Sequence, residues 1–125
     1  MPREKYVEID FESDIVALYK CFDIFIHVPI NEKIEAFGQI YVEALAAGIP
    51  SVFTLSGVAT EFIRNNENAL VVDYKSEDQI YNALKTLLDN PKLCDSIVAN
   101  GKKGLNKLFT IDRMINKLEV IYTTN

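Results

Sequence analysis

Two carboxylates, Glu35 and Glu43, stand with seven residues between them in the stretch Glu35-Ala-Phe37-Gly38-Gln39-Ile40-Tyr-Val-Glu43-Ala-Leu-Ala-Ala47-Gly48-Ile-Pro50. Phe37-Gly38 marks a sharp loop. Gln39 to Ala47 reads as a helix that Gly48 stops and Pro50 prevents from continuing. Apart from Gln39 and Glu43, four apart on one face, that helix is apolar. So apolar a helix is mostly buried, and a carboxylate on it must face a cleft or find a strong partner. In a cleft, a carboxylate accepts strong, charge-assisted hydrogen bonds from hydroxyls. At the helix start, the amides of Gly38, Gln39 and Ile40 point outward and, with the helix dipole, make an anion site. Gly38 lets a ligand approach the backbone closely. The chemistry on offer is binding of a ligand that carries both phosphate and hydroxyl groups.

Alternating strands and helices must position these groups. Tyr6 to Phe11 alternates, with Val7, Ile9 and Phe11 on one face, and predicts a half-exposed edge strand. Ser13 is the expected cap of a helix from Asp14 to about Phe22, with Ile15, Leu18 and Tyr19 inward. Asp23–Val28 is an apolar run, the mark of a strand covered on both faces. A loop over 29–37 leads into the Glu43 helix. Ser51–Leu55 reads as a second buried strand, Val58–Arg64 as a short helix, Asn65-Asn66 as a turn and Ala69–Val72 as a strand. Ser76-x-x-Gln79 predicts a capping box opening a helix to Leu88, with Ile80, Leu84, Leu87 and Leu88 as its core stripe. Asn90-Pro91 is the expected cap of the next helix. Thr110 opens a last one with Ile111, Met114, Ile115, Leu118 and Ile121 as its stripe. This order implies an α/β fold with a parallel sheet flanked by helices. Ligands of such sheets bind beyond the carboxyl ends of the strands, here after Val28, Leu55 and Val72.

The 125 residues suffice for one domain with a real core. A net charge of −5 argues against nucleic acid, which needs a basic face. Cys21 and Cys94 read as reduced core thiols, not as a disulfide or metal site. No apolar run approaches the roughly 18 residues that span a bilayer, and no signal peptide is visible. The expected location is cytoplasmic, or at the cytoplasmic face of a membrane. Lys33 reads as a flexible loop lysine, His27 as structural, and Lys102, Lys103 and Lys107 as a solvated helix face.

The stretch around the two acids resembles the donor-site motif of the retaining glycosyltransferases of family 4, which have the GT-B fold. Glu35, Phe37, Gly38, Glu43, Ala44, Ala47, Gly48 and Pro50 fall in register with it. Leu18 to Pro29, Ser51 to Gly57 with Glu61, and Asn68 to Asp73 are similar to the family's neighbouring segments, and the resemblance covers roughly residues 6–109. Val58 stands where the family usually has a second glycine. The resemblance implies a Rossmann-like sheet, incomplete here, as in the latter part of a GT-B C-terminal domain: residues 1–125 would be a partial nucleotide-sugar-binding domain. It implies a nucleotide-sugar donor as substrate, no cofactor and no required metal, and transfer with retention to an unknown acceptor, as in polysaccharide biosynthesis. Glu35 is the implied catalytic-site acid, accepting from hydroxyls of the transferred sugar. Glu43 would take ribose hydroxyls. Phe37, Gly38, Gln39, Ile40, Ser56 and Gly57 complete the donor site.

Plainer readings stand beside these. Glu43 can be a solvated helix face, Glu35 an ordinary loop acid, Gly38 a turn glycine, and Ser56-Gly57 a helix cap. The family's glycine-rich strand end, its Arg/Lys pair and its N-terminal acceptor domain are not in the chain. The chain is therefore expected to be a cut piece, inactive alone, whose exposed sheet edge at Asp23–Val28 invites self-association. A GT-B nucleotide-sugar epimerase and a non-catalytic Rossmann-like binding module are the alternatives.

Overall fold

The computed structural model describes residues 2–124. Its centre is a three-stranded parallel sheet, β1 (Phe25–His27), β2 (Ser51–Phe53) and β3 (Leu70–Val71), in the order β1-β2-β3. Phe25 pairs with Ser51, His27 with Phe53, and Val52 with Leu70. Helices surround it: α1 (Ile15–Tyr19), α2 (Gln39–Ala47), α3 (Ala59–Phe62), α4 (Glu77–Asp89), α5 (Pro91–Leu108) and α6 (Ile111–Thr123).

Strand alternation sorts the core into two layers. Phe53 points to one face and joins Tyr19, Tyr41, Ala44, Leu45 and Leu105. Val52 points to the other and joins Leu70, Ala83, Leu87 and Ile97. Helix α5 therefore serves both layers, through Ile97 and Leu105. It crosses α2 closely at Gly101, where an added Cβ would lie 3.0 Å from Leu45 Cδ2. Helix α2 ends as its sequence requires. Gly48 takes a left-handed φ of +76°, its N–H reaches Leu45 O at 3.1 Å, and the Ile49 N–H reaches Ala44 O at 3.3 Å.

Several elements depart from the pattern reading. Tyr6–Phe11 forms no strand; Val7 and Phe11 are each 84% exposed. Alternation alone does not make a strand without a partner, and none is supplied by the described residues. Asp14, not Ser13, caps α1 by accepting from the Ala17 N–H at 2.9 Å, and α1 ends at Tyr19 rather than Phe22. Ser76 makes no side-chain cap. Gln79 turns instead to Asp73, accepting its N–H at 2.8 Å and donating to its carboxylate at 2.7 Å. Asn90 stands at the N-cap of α5 with Pro91 opening the helix, as expected, but it caps without its side chain, whose amide donates back to Thr86 O. Leu88 is exposed, and Ala83 takes its place beside Leu87. Cys21 is exposed rather than core, while Cys94 is part-buried and burial pushes its thiol up. Thr110 does cap α6, accepting from the Arg113 N–H at 3.3 Å, yet the α6 stripe stays largely open: Ile111, Met114, Ile115, Leu118 and Ile121 are 43–72% exposed.

Candidate functional site

The site lies where β1 and β2 end. The chain leaves β1 through Pro29, returns over 29–37, and enters α2 at Gly38. It leaves β2 into the turn Ser56-Gly57 and then α3. Hydrogen bonds lock these two exits together. Tyr41, fully buried on α2, donates its hydroxyl proton to Thr54 O at 2.7 Å and accepts the Ser56 N–H at 3.1 Å. Ser56 Oγ accepts the Glu35 N–H at 2.9 Å. Thr54 Oγ1 donates to Pro29 O at 2.6 Å. Gly57 N–H donates to Glu32 O at 2.9 Å.

The glycines at these turns are structural necessities. Gly57 has φ +59°, and a Cβ there would sit 2.6 Å from Ala36 O and 2.7 Å from Glu35 O. Gly38 has φ +72°, and its Cβ would meet the Tyr41 ring at 2.7 Å. A side chain at either position would be strained in the left-handed region as well as crowded. Ser56 is fully buried and its oxygen is already committed to the loop. Ser56 and Gly57 thus hold the Glu35 loop in place, a role that their spacing from Glu35 gave no means of seeing.

Glu43 is half-buried and held at both oxygens. Tyr19 donates to Oε2 at 3.1 Å and the Gln39 side-chain amide to Oε1 at 2.9 Å. A cavity of about 350 Å³, lined by Ile15, Val16, Tyr19, Lys20, Ala46 and Ala47, opens on this carboxylate. The Tyr19 phenol is pushed up to about 12, first by burial and then by Glu43. Gln39 is therefore a partner of Glu43 as well as the first residue of the helix. Glu35 is half-buried on the loop, its Oε1 3.3 Å from His27 Nε2. Burial lowers the His27 imidazole below its ordinary value, and the Glu35 charge acts in the opposite direction.

Between the two acids is the start of α2. Tyr41 N–H bonds back to Gly38 O at 3.1 Å. The amides of Gly38, Gln39 and Ile40 have no acceptor among the described residues. Phe37 is exposed and points its ring to Phe109, centroids 6.1 Å apart and nearly perpendicular. Ile40 packs against the core. Glu61 and Lys33 are exposed. Lys102 lies over Gly48, its side-chain end 2.6 Å from where a Cβ would be, so this lysine covers the last turn of α2.

Parallel strands that run out into an open helix start, flanked by one loop acid and one helix acid, define a Rossmann-like α/β ligand-binding domain. Comparison with known proteins gives the family. Residues 6–104 match the glycosyl transferases group 1, and the chain belongs to that family. Over 96 residues it is 34% identical to a probable sucrose-phosphate synthase 2 of Craterostigma plantagineum, covering 76% of this chain and 9% of that protein. Among solved structures it resembles the C-terminal domain of LpcC, a glycosyl transferase group 1 family protein of Francisella tularensis. That match has 29% identity and a TM-score of 0.70, over 85% of this chain and 53% of that one. Anabaena HepE in complex with UDP shares the fold at a TM-score of 0.83 and 21% identity, over 92% of this chain and 31% of that one. The fold is thus that of a GT-B C-terminal domain, and the chain spans only part of each relative. No helix among the described residues is long and apolar enough to cross a membrane.

Proposed function

We propose that this domain holds the nucleotide-sugar donor of a retaining glycosyltransferase of family 4. The observation that carries the reading is the start of α2: three amides without acceptors, between the carboxylates of Glu35 and Glu43. The pyrophosphate sits on the amides of Gly38, Gln39 and Ile40, where the dipole of a nine-residue helix favours an anion. Glu43 accepts ribose hydroxyls, exchanging one of its present donors for them. The apolar cavity beside it has room for the base. Glu35 accepts hydroxyls of the transferred sugar. Phe37, exposed beside the start of α2, lines the donor site, and Ser56 and Gly57 fasten the loop that carries Glu35.

Amides and a helix dipole supply the charge stabilisation on this side, so the reading needs no metal and no cofactor. It carries with it a cytoplasmic location, a role in polysaccharide synthesis, and an N-terminal acceptor domain in the same protein. Transfer requires that domain, so the 125-residue chain alone turns over none, and without the family's Arg/Lys pair to neutralise the pyrophosphate it binds donor weakly. The same site would serve a nucleotide-sugar epimerase, but no observation favours that.

The test is an NMR titration of the chain with UDP-glucose, with and without a chelator. Amide shifts should concentrate at Gly38, Gln39, Ile40 and Glu43 and be indifferent to the chelator. Shifts elsewhere, or binding that needs a divalent cation, would sink the assignment.

A further inference from the structure

His27 is the one histidine in the chain. It ends β1, and its Nε2 is buried without an aligned hydrogen-bond partner. The nearest charged group is Glu35 Oε1, 3.3 Å away but off the line a hydrogen bond needs. The imidazole is not free to leave. It packs edge-on against Tyr41, centroids 5.0 Å apart, and Tyr41 is itself pinned to Thr54 and Ser56. Glu35 is held from its other end, by its amide on Ser56 Oγ. Imidazole and carboxylate thus hang from one rigid frame and face each other.

A carboxylate only accepts, so the hydrogen between them belongs on Nε2. A small turn of the carboxylate completes the bond, as hydrogen bonds at ligand-free sites tighten when the ligand arrives. We infer that His27 is a positioning residue for Glu35: its Nε2–H sets the direction of the carboxylate and so the sugar hydroxyls that carboxylate faces. The inference rests on the reading of Glu35 as the sugar-facing acid. The titratable groups that face the ring are Glu35 from the loop and Tyr41 from α2, whose phenol is pushed up to about 12 and stays protonated. Burial keeps the imidazole uncharged at neutral pH. It therefore orients Glu35 without cancelling the charge that hydroxyl binding uses.

A single imidazole makes the test direct. Its NMR titration is followed in the wild-type chain and in Glu35→Gln. The pairing requires a lower midpoint in Glu35→Gln and a weaker preference for the Nε2–H tautomer; identical titrations and tautomers overturn the inference. UDP and UDP-glucose are then titrated into wild type, His27→Leu and His27→Gln, each checked for native amide dispersion. His27→Leu should lose about tenfold for UDP-glucose and nothing for UDP, and His27→Gln, which keeps an N–H donor, should recover most of the loss. Equal losses for both ligands, or none, overturn positioning. A wild-type chain that binds UDP-glucose no better than UDP, with the imidazole pairing intact, overturns the sugar-facing reading of Glu35 and leaves the His27–Glu35 pair standing.

Discussion

Ser56 takes the backbone N–H of Glu35 on its hydroxyl at 2.9 Å, tying the turn after β2 to the loop after β1. The two residues are 21 apart in sequence, so the bond exists only once the parallel strands are paired. Ser56→Ala leaves the Glu35 amide without its acceptor in a part-buried place. We expect a loss of about 1–3 kcal/mol in unfolding free energy, the cost of one orphaned donor. Faster hydrogen exchange should spread through residues 32–37. Urea denaturation and exchange rates measure both, and unchanged exchange would show that the loop holds itself.

Gly57→Ala tests the same junction from the other side. The left-handed backbone alone costs an alanine about 1–2 kcal/mol. The new methyl would also press on the carbonyls of Glu35 and Ala36, which are backbone and cannot swing aside. The loop must move, so donor affinity should fall with stability. A fall in melting temperature with donor shifts unaltered would separate the turn from the site.

Glu43→Gln removes the charge but keeps an acceptor for Tyr19. If Glu43 binds ribose, the protein that carries this domain should lose about 1–3 kcal/mol of donor affinity, the worth of hydrogen bonds to a charged group. Calorimetry of both proteins with the same nucleotide sugar reads it. Equal affinities would return Glu43 to a purely structural tie between α1 and α2.

Stability should narrow at both ends of the pH range. His27 is held below its ordinary 6.5, so below that pH the unfolded chain takes up protons before the folded one. Its contribution is complete above pH 6.5 and is lost as pH falls through the folded value. Tyr19 and Tyr41 are raised from 10.0 to about 12, and the sign reverses. Their contribution is complete below pH 10.0 and is lost as pH rises toward 12. Urea midpoints at about pH 5, 8 and 11 should therefore peak at the middle value. His27→Gln should flatten the acid side only.

Helix α2 was legible in the sequence to the residue, because Gly38, Gly48 and Pro50 punctuate it. The three strands were legible as apolar runs, though each is shorter than its run, since pairing and not hydrophobicity sets where a ladder ends. Tyr6–Phe11 misled because alternation describes a face and says nothing of a partner. The capping box at Ser76 misled because Gln79 had a better use at Asp73. The two acids and the glycine between them stand out in the sequence through the motif around them, not through their spacing alone. The frame that carries them could not: the Tyr41, Thr54 and Ser56 bonds and the His27–Glu35 approach join segments that only the folded sheet brings together.

The free edge of β1 leads to the last expectation. β1 pairs with β2 on one side and with no strand of the described residues on the other. Ile26 on that strand is 39% exposed. Tyr6–Phe11, which could have covered the edge, lies unpaired and exposed. An open apolar edge offers unpaired amides and carbonyls to any second strand. The simplest closed solution is a two-fold pair of chains, edge to edge. Light scattering over a range of concentrations should show mass rising from one chain toward two. Ile26→Lys, placing a charge on the edge, should return it to one. A constant monomer mass in the wild-type chain would mean that the edge is covered from within, and Tyr6–Phe11 would be the segment to look for by hydrogen exchange.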